Sequence, residues 1–172
     1  GGNSLTYLKG DGTWGTPLVT SSIVYSQSIA TQSVASGSNA GNILFGNTAT
    51  YTDVTINVDG TIRFDNTGLY IVEFFGNFKL TDPSTSQVVF QPFLDGVEVR
   101  NIVVIDLPGT PDIYRPFTRT DVFQVEGGQI LNYEAGHVSG TNGELIALQV
   151  QSIGNMGGYV PSASVTVSRI KI

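Results

Sequence analysis

The chain has 172 residues, enough for one domain with a sizeable hydrophobic core, and a formal net charge of −6 with 13% charged residues. An acidic, charge-poor composition argues against nucleic acid as a partner, because basic patches supply most of the affinity for phosphate backbones. The sequence contains no cysteine, which excludes disulfides and thiolate metal sites, and no apolar run approaches the roughly 20 residues of a membrane-spanning helix.

Residues 1–18 are interpreted as a leader that precedes a head domain spanning residues 19–172. The stretch from Tyr7 to Pro17 is rich in glycine, ends on proline and contains the single tryptophan, Trp14. A segment this short cannot form a core of its own, because ordering it costs more entropy than its few contacts return. We therefore expect a connector, held by its aromatic residues against another part of the assembly.

The remaining sequence has the pattern of an all-β domain. Gly, Ser, Thr, Asn and Val dominate, no window shows helical periodicity, and runs that alternate with a period of two are separated by turn residues. Weak strands are predicted near Ile23–Ile29 and Ile43–Phe45. Further on, Asp59-Gly60 lies between alternating apolar residues and predicts a hairpin turn, since both central positions of such a turn favour a positive φ.

The clearest predicted strand covers Leu69–Leu80. Its even positions are nearly all apolar, so we expect that face in the core. On the odd face, Leu69, Ile71 and Phe75 are too apolar for a surface that contacts only water. Either this face is an interface between copies of the chain, or residues 19–50 cover it.

Further strands follow at short intervals up to the chain end. They are predicted over Val88–Leu94, Val97–Ile105, Arg119–Val125, Ile130–Ala135, Leu145–Val150 and Ala163–Ile172. In the last of them the apolar phase changes between Val167 and Ile170, which predicts a β-bulge or a strand covered on both faces. The total of about eight to ten strands indicates a two-sheet antiparallel jelly-roll sandwich.

Several of these pieces, read in order, resemble the complement-type globular head of the tumour-necrosis-factor-like jelly-roll superfamily. In that family a strand ending in Phe precedes a short turn and then an apolar strand with a Gly-x-Tyr start. The matching segments are Ile62–Phe64, Asn66–Gly68, Leu69–Phe74, Phe93–Val99, Phe123–Ile130 and Ser164–Ile172, within residues 54–172. The resemblance implies a homotrimer around a threefold axis, with an interface predicted at Leu69, Ile71, Phe75, Ile170 and Ile172.

The leader resembles something different. Leu8–Trp14, followed by Thr16-Pro17, is similar to a short motif of bacteriophage tail-fibre and other virion structural proteins, where it precedes or links fibre domains. Together the two resemblances imply a non-enzymatic, extracellular head on a virion fibre that trimerises and attaches to a glycan or protein receptor of the host. The alternatives are a purely structural trimerisation or capsid-decoration domain, and a bacterial surface head on a collagen-like stalk.

The predicted ligand-binding residues lie in one proline-rich loop, Leu107–Pro116. Loops on a rigid sandwich commonly carry function, and Tyr and Arg are frequent binding anchors. Asp112, Tyr114 and Arg115 are therefore the candidates for receptor contact. The alternative is that the prolines only stiffen a long crossover.

No catalytic residue is predicted. The single histidine, His137, lies in a turn-like stretch, where a surface or interface role is favoured over a Ser-His-Asp site. The acids are scattered and mostly at turns, where Asp is favoured for its local hydrogen bonds, so a glycosidase pair is not expected. No cofactor or metal site is predicted, although a structural calcium ion held by turn oxygens stays open.

Overall fold

The computed structural model shows β-strands as its regular elements. The described residues are 6–15, 19–34, 40–80, 86–107, 114–137, 143–145, 148–153 and 156–171. These ranges contain 18 strands and no helix, which confirms the predicted all-β class. In chain order they are β1 (Tyr7–Leu8), β2 (Trp14–Gly15), β3 (Val19–Ser28), β4 (Gln32–Val34), β5 (Gly41–Asn42), β6 (Ala49–Tyr51), β7 (Val54–Ile56), β8 (Ile62–Phe64), β9 (Gly68–Leu80), β10 (Ser86–Leu94), β11 (Val97–Glu98), β12 (Val103–Leu107), β13 (Tyr114–Val125), β14 (Ile130–His137), β15 (Gly143–Leu145), β16 (Leu148–Ile153), β17 (Met156–Val160) and β18 (Ala163–Lys171).

Most of the strands form two antiparallel sheets. The first sheet follows the order β11–β10–β14–β8–β7–β6, with β12 on the same edge of β10 as β11, and β5 on the same edge of β14 as β8. In the second sheet β9 is central, with β13 on one edge and β18 and β15 on the other; β3 and β4 pair with β18 and β15. This is the predicted two-sheet jelly roll. In each of the hairpins β1–β2 and β16–β17, the two strands pair with each other and with no other strand of the described ranges.

The core lies between the two sheets and is rich in aromatic rings. On β9, Tyr70, Val72 and Phe74 point into it and are at most 2% exposed. The ring centroid of Phe74 lies 4.4 Å from that of Phe90 and 5.4 Å from that of Tyr133, both on the first sheet. Aromatic pairs at such separations add to the stabilisation from burial alone. The predicted inward face of β9 is therefore confirmed.

The predicted hairpin turn at Asp59-Gly60 joins β7 to β8. The Asp59 Oδ1 accepts hydrogen bonds from the Thr61 hydroxyl at 2.6 Å and from the Thr61 backbone N–H at 3.0 Å, and these bonds lower the pKa of the Asp59 carboxyl. The prediction of two positive φ angles is wrong here, because only Gly60 has one, at +84°.

Two predicted strands are broken in the structure. The stretch Val97–Ile105 forms β11 and β12, which both pair with β10. The stretch Leu145–Val150 is divided between β15, in the second sheet, and β16, which pairs with β17. Ile43–Phe45 forms no strand, yet its first and last residues are buried, so burial rather than pairing explains their apolar character. These two breaks add two strands, and the described strands also include short ones that were not predicted, namely β1, β2, β4, β5, β6 and β17.

Strand β13 begins at Tyr114 rather than at the predicted Arg119. It contains Pro116, which has no N–H to donate to a ladder. Proline is tolerated because β13 is an edge strand, paired in the described structure with β9 alone. The end of the predicted proline-rich loop therefore belongs to a strand, and residues 108–113 lie outside the described part of the chain.

The phase change in the last strand has a structural counterpart. The pairing of β18 with β3 shifts by one residue between Arg169 and Ile170, whereas its ladder with β9 continues and pairs Ile170 with Leu69. Val165 and Val167 are fully buried in the core, and Ile170 lies beside Leu69 on the opposite face of the sheet. The predicted irregularity is confirmed, and β18 contributes apolar side chains to both faces.

Candidate interaction surface

The face of the second sheet that points away from the core carries large apolar side chains among small and uncharged polar ones. The odd residues of β9 lie on this face and align with matching positions of β18, β3 and β13. We call it the outer face; its large apolar side chains are Ile23, Tyr25, Leu69, Ile71, Phe75, Val122 and Ile170.

The register of four strands builds the centre of the outer face. Ile23, Ser168, Ile71 and Val122 stand side by side across β3, β18, β9 and β13. Ile23 is 56% exposed and Val122 is 43% exposed. Burying a side chain of this type fully is worth about 1.5–3 kcal/mol. The centre of the outer face therefore carries a substantial unused driving force for contact with another surface.

Charge is nearly absent from this face. Among the described side chains between the level of Leu69 and that of Phe75, the single charged group is Glu73, which is exposed and flanked across the strands by Thr120 and Thr166. Depletion of charge at the centre of a patch is typical of surfaces that bury themselves against protein.

The structure brings together most of the predicted interface residues. Leu69, Ile71, Phe75 and Ile170 all lie on the outer face and are half-buried within the single chain, whereas Ile172 lies outside the described residues. The described residues of segment 19–50 do not cover this face, because β3 extends it as a neighbouring strand. The role of these residues in assembly stays a prediction.

Three residues of the outer face were missed at the level of sequence: Ile23, Tyr25 and Val122. The sequence pattern that could have identified them is the alternation of side chains between the two faces of a strand. Ile23 and Tyr25 alternate with the buried Val24 and Ser26 on β3. This pattern is hard to interpret without the pairing, since the inward residues there are small or polar.

Two of the three predicted ligand-binding residues lie in a strand rather than in a loop. Tyr114 and Arg115 are the first two residues of β13, and consecutive strand residues point to opposite faces of a sheet. The Tyr114 ring lies 5.7 Å from the Lys79 ammonium, across the ladder with β9. Asp112 is among the residues not described. Their role in binding stays a prediction.

His137 is the last residue of β14, where it pairs with Val88, rather than part of a turn. In the portion of the chain given above, no group of three or more His, Asp or Glu residues is arranged to hold a metal ion. The same portion contains no helix long and apolar enough to cross a membrane.

Two buried carboxylates are neutralised within the fold. Asp121 forms an ion pair with Arg119 at 2.6 Å and accepts a hydrogen bond from the Tyr133 hydroxyl at 3.4 Å, which links the two sheets. Asp53 pairs with Arg169 at 2.8 Å. Burial, followed by the Asp121 charge, raises the pKa of the Tyr133 hydroxyl well above 10.0. Because breaking a buried ion pair leaves an uncompensated charge, these groups act in stability.

A scan against protein-family models finds no match for this chain, and a search of curated proteins finds none. Among solved structures, murine APRIL, in a crystal structure at pH 5.0, is similar with a TM-score of 0.53 and 12% identity over 86% of this chain and 97% of that one. The globular domain of zebrafish complement 1qA protein is similar with a TM-score of 0.50 and 10% identity over 87% and 96%.

These similarities establish the fold. The chain has the jelly roll of tumour-necrosis-factor and complement-type heads, as the segments from Ile62 to Ile172 led us to expect. Fold does not determine function, which depends on the surfaces built on it. The resemblance of the leader to fibre proteins stays a prediction.

Proposed function

We propose that this chain is the non-enzymatic head of a virion fibre of the phage tail-fibre kind, exposed on the particle surface. It assembles as a homotrimer through the outer face and attaches the particle to a glycan or protein receptor on the host cell. The observation that carries the proposal is the outer face itself, a nearly uncharged surface with several large apolar side chains on the central strands of the second sheet.

The outer face is better suited to copies of the same chain than to water. Exposed apolar patches larger than a few hundred Å² are rare on soluble monomers and mark interaction sites. The face spans the four strands β3, β18, β9 and β13, and its residues come from widely separated parts of the chain. The resemblance to tumour-necrosis-factor-like heads implies that three copies meet there around one axis.

The leader supports the assignment to a fibre. Leu8 and Trp14 face each other across the β1–β2 hairpin and are 60% and 51% exposed. An aromatic residue of this size gains more from burial than most others. A hairpin with this pair at its surface is suited to contact an adjoining part of a fibre, which is where the resembling motif occurs.

Glutamate substitutions at one residue of the outer face and at one exposed residue of the first sheet test the proposed assembly. Ile71→Glu buries an unpaired carboxylate in the interface, and we expect association about a hundredfold weaker or more, measured by analytical ultracentrifugation. Val97→Glu is the matched control, because Val97 is 65% exposed on the first sheet, and it retains the wild-type association. Equal association of both variants would contradict the proposal.

Particles that lack residues 19–172 distinguish a role of the head in host attachment from a purely structural role. If the head attaches the particle, such particles assemble normally and lose adsorption to the host. If it only scaffolds the fibre, assembly fails or adsorption is unchanged.

A further inference from the structure

The outward face of the first sheet, opposite to the proposed trimer surface, contains a groove with a volume of about 200 Å³. Its lining residues are Ala40, Val89, Gln91, Phe93, Ile102, Glu134 and Gly136. We propose that this groove binds one neutral pyranose unit of a host glycan. The inference rests on the proposed function, since it names the receptor chemistry of the same head.

The pairing of β10 with β14 builds the groove. Val89 faces Gly136, and Gln91 faces Glu134. Because Gly136 has no side chain, the floor of the groove is low beside Val89. Directly opposed residues such as Gln91 and Glu134 have their Cβ atoms about 4.5–5.5 Å apart. A carboxylate and a primary amide therefore stand side by side at the edge of a small apolar depression.

The carboxylate is held in place by a chain of side-chain hydrogen bonds. The Asn132 Nδ2 donates to the Glu134 Oε1 at 3.1 Å and to the Asn42 Oδ1 at 2.7 Å. The Asn42 Nδ2 in turn donates to the Asp59 carbonyl oxygen at 3.3 Å. Such support reduces the entropy that a binding group loses when a ligand arrives.

The side-chain amide of Gln91 is buried but makes only one long hydrogen bond within the described ranges. Gln91 is 9% exposed, and its Nε2 donates to the Arg100 carbonyl oxygen at 3.5 Å, the limit of a hydrogen bond. Within the described ranges, no donor reaches its Oε1. Buried polar groups normally have hydrogen-bond partners, and leaving one unsatisfied is destabilising. A ligand that supplied both a donor and an acceptor would satisfy this amide.

The lining chemistry selects a neutral sugar. The side chains of Val89, Phe93 and Ile102 offer an apolar wall to the C–H face of a pyranose ring. Its hydroxyl groups would donate to the Glu134 carboxylate and exchange hydrogen bonds with the Gln91 amide, which has both donors and an acceptor. The Glu134 charge disfavours acidic sugars and phosphates. A methylated ammonium is also disfavoured, because cages for such cations use several aromatic rings and Phe93 is the single one lining this groove.

The size of the groove sets the expected affinity. Sites for drug-sized ligands are about 300–1,000 Å³, so a groove of about 200 Å³ fits a single ring and binds it weakly. In a trimer, three such grooves would be carried on one rigid body. Simultaneous engagement of a glycan-coated surface then raises the avidity by a factor of about 10²–10⁴ without any new contact.

Saturation-transfer NMR on the full chain with methyl glycosides of neutral hexoses and N-acetylhexosamines tests the groove. We expect at least one neutral glycoside to bind, with Glu134→Gln weakening it by about tenfold or more, since hydrogen bonds to charged groups are worth about 1.5–3 kcal/mol. Gly136→Val, which fills the floor, should also abolish binding. Glu126→Gln, in an exposed turn between β13 and β14, is the matched control and binds as the wild type does.

Each contrary outcome has a distinct meaning. Binding of no neutral glycoside, binding insensitive to Glu134→Gln and Gly136→Val, or preference for sialosides or trimethylammonium would overturn the proposal. Because the assay needs only the intact fold, it works on a single chain. If the chain is a trimer that binds no sugar, the proposed assembly stands and the proposed sugar site is refuted. If a monomeric chain binds sugar, the proposed site stands and the proposed trimer is refuted.

Discussion

At the scale of single residues, one Asp-Gly-Thr sequence occurs at two turns in very different surroundings. At Asp11-Gly12-Thr13 and at Asp59-Gly60-Thr61, the Asp Oδ1 accepts from the Thr hydroxyl at 2.6 Å in both. The glycines have φ angles of +81° and +84°. A Cβ on Gly60 would lie 2.1 Å from the Ile43 carbonyl oxygen, whereas a Cβ on Gly12 would meet nothing within 4 Å.

This pair predicts the effect of alanine at each glycine. Gly60→Ala should lower the free energy of unfolding by about 3 kcal/mol or more, because a strained φ is combined with a clash against backbone. Gly12→Ala should lower it by about 1–2 kcal/mol at most, the cost of the left-handed conformation alone. Urea denaturation followed by circular dichroism measures both values. Equal losses would show that the contact with Ile43 does not matter.

The buried Tyr133 predicts how stability depends on pH. Its pKa is raised well above 10.0, mainly by burial, so the folded chain keeps this proton at alkaline pH where the unfolded chain releases it. The free energy of unfolding should therefore be unaffected by this group below about pH 10 and fall as the pH rises further.

Tyr133→Phe tests this dependence. It should cost about 1 kcal/mol near neutral pH through loss of the hydrogen bond to Asp121, and it should flatten the decline above pH 10. Some decline remains, because the pKa of Tyr70 is also raised, mainly by burial. Urea titrations between pH 7 and 11 give the comparison, and an unchanged alkaline slope in the variant would refute the assignment.

At the scale of elements, the two faces of β9 have different surroundings. Phe74 is 2% exposed and its ring contacts Phe45, Phe90, Phe117 and Tyr133. The next residue, Phe75, lies on the outer face. One strand therefore offers two phenylalanines of equal size with separable roles.

Alanine substitution at these two positions should give opposite results. Phe74→Ala should lower the free energy of unfolding by about 3–5 kcal/mol, the usual cost of a cavity left by a large core side chain. Phe75→Ala should keep the near-ultraviolet circular dichroism of the folded chain and weaken association in sedimentation. A Phe75→Ala variant that unfolds as readily as Phe74→Ala would place Phe75 in the core instead.

Elements also show where sequence reasoning succeeds. The two faces of β9 were predictable because alternation is a property of one strand, readable without knowing its partners. The start of β13 was not, since Pro116 normally argues against a strand and is acceptable only because that strand is at an edge. The groove escaped notice because Gln91 and Glu134 are far apart in sequence and meet only through the register of β10 with β14.

At the scale of the whole molecule, the two sheets have different outward faces around a shared aromatic core. The second sheet presents the apolar outer face, and the first presents a groove with a carboxylate and an amide. The predicted interface residues Leu69, Ile71, Phe75 and Ile170 converge because β18 and β9 pair in register. The predicted ligand residues Tyr114 and Arg115 do not converge, because a strand directs neighbours to opposite faces.

The solution mass of the wild-type chain, measured by light scattering, tests the central claim most directly. If the outer face is buried between copies, the mass is three times 18.3 kDa, and it stays so on moderate dilution. A mass of 18.3 kDa at the same concentrations would mean that the outer face stays exposed to water, and the proposed trimeric head would be contradicted.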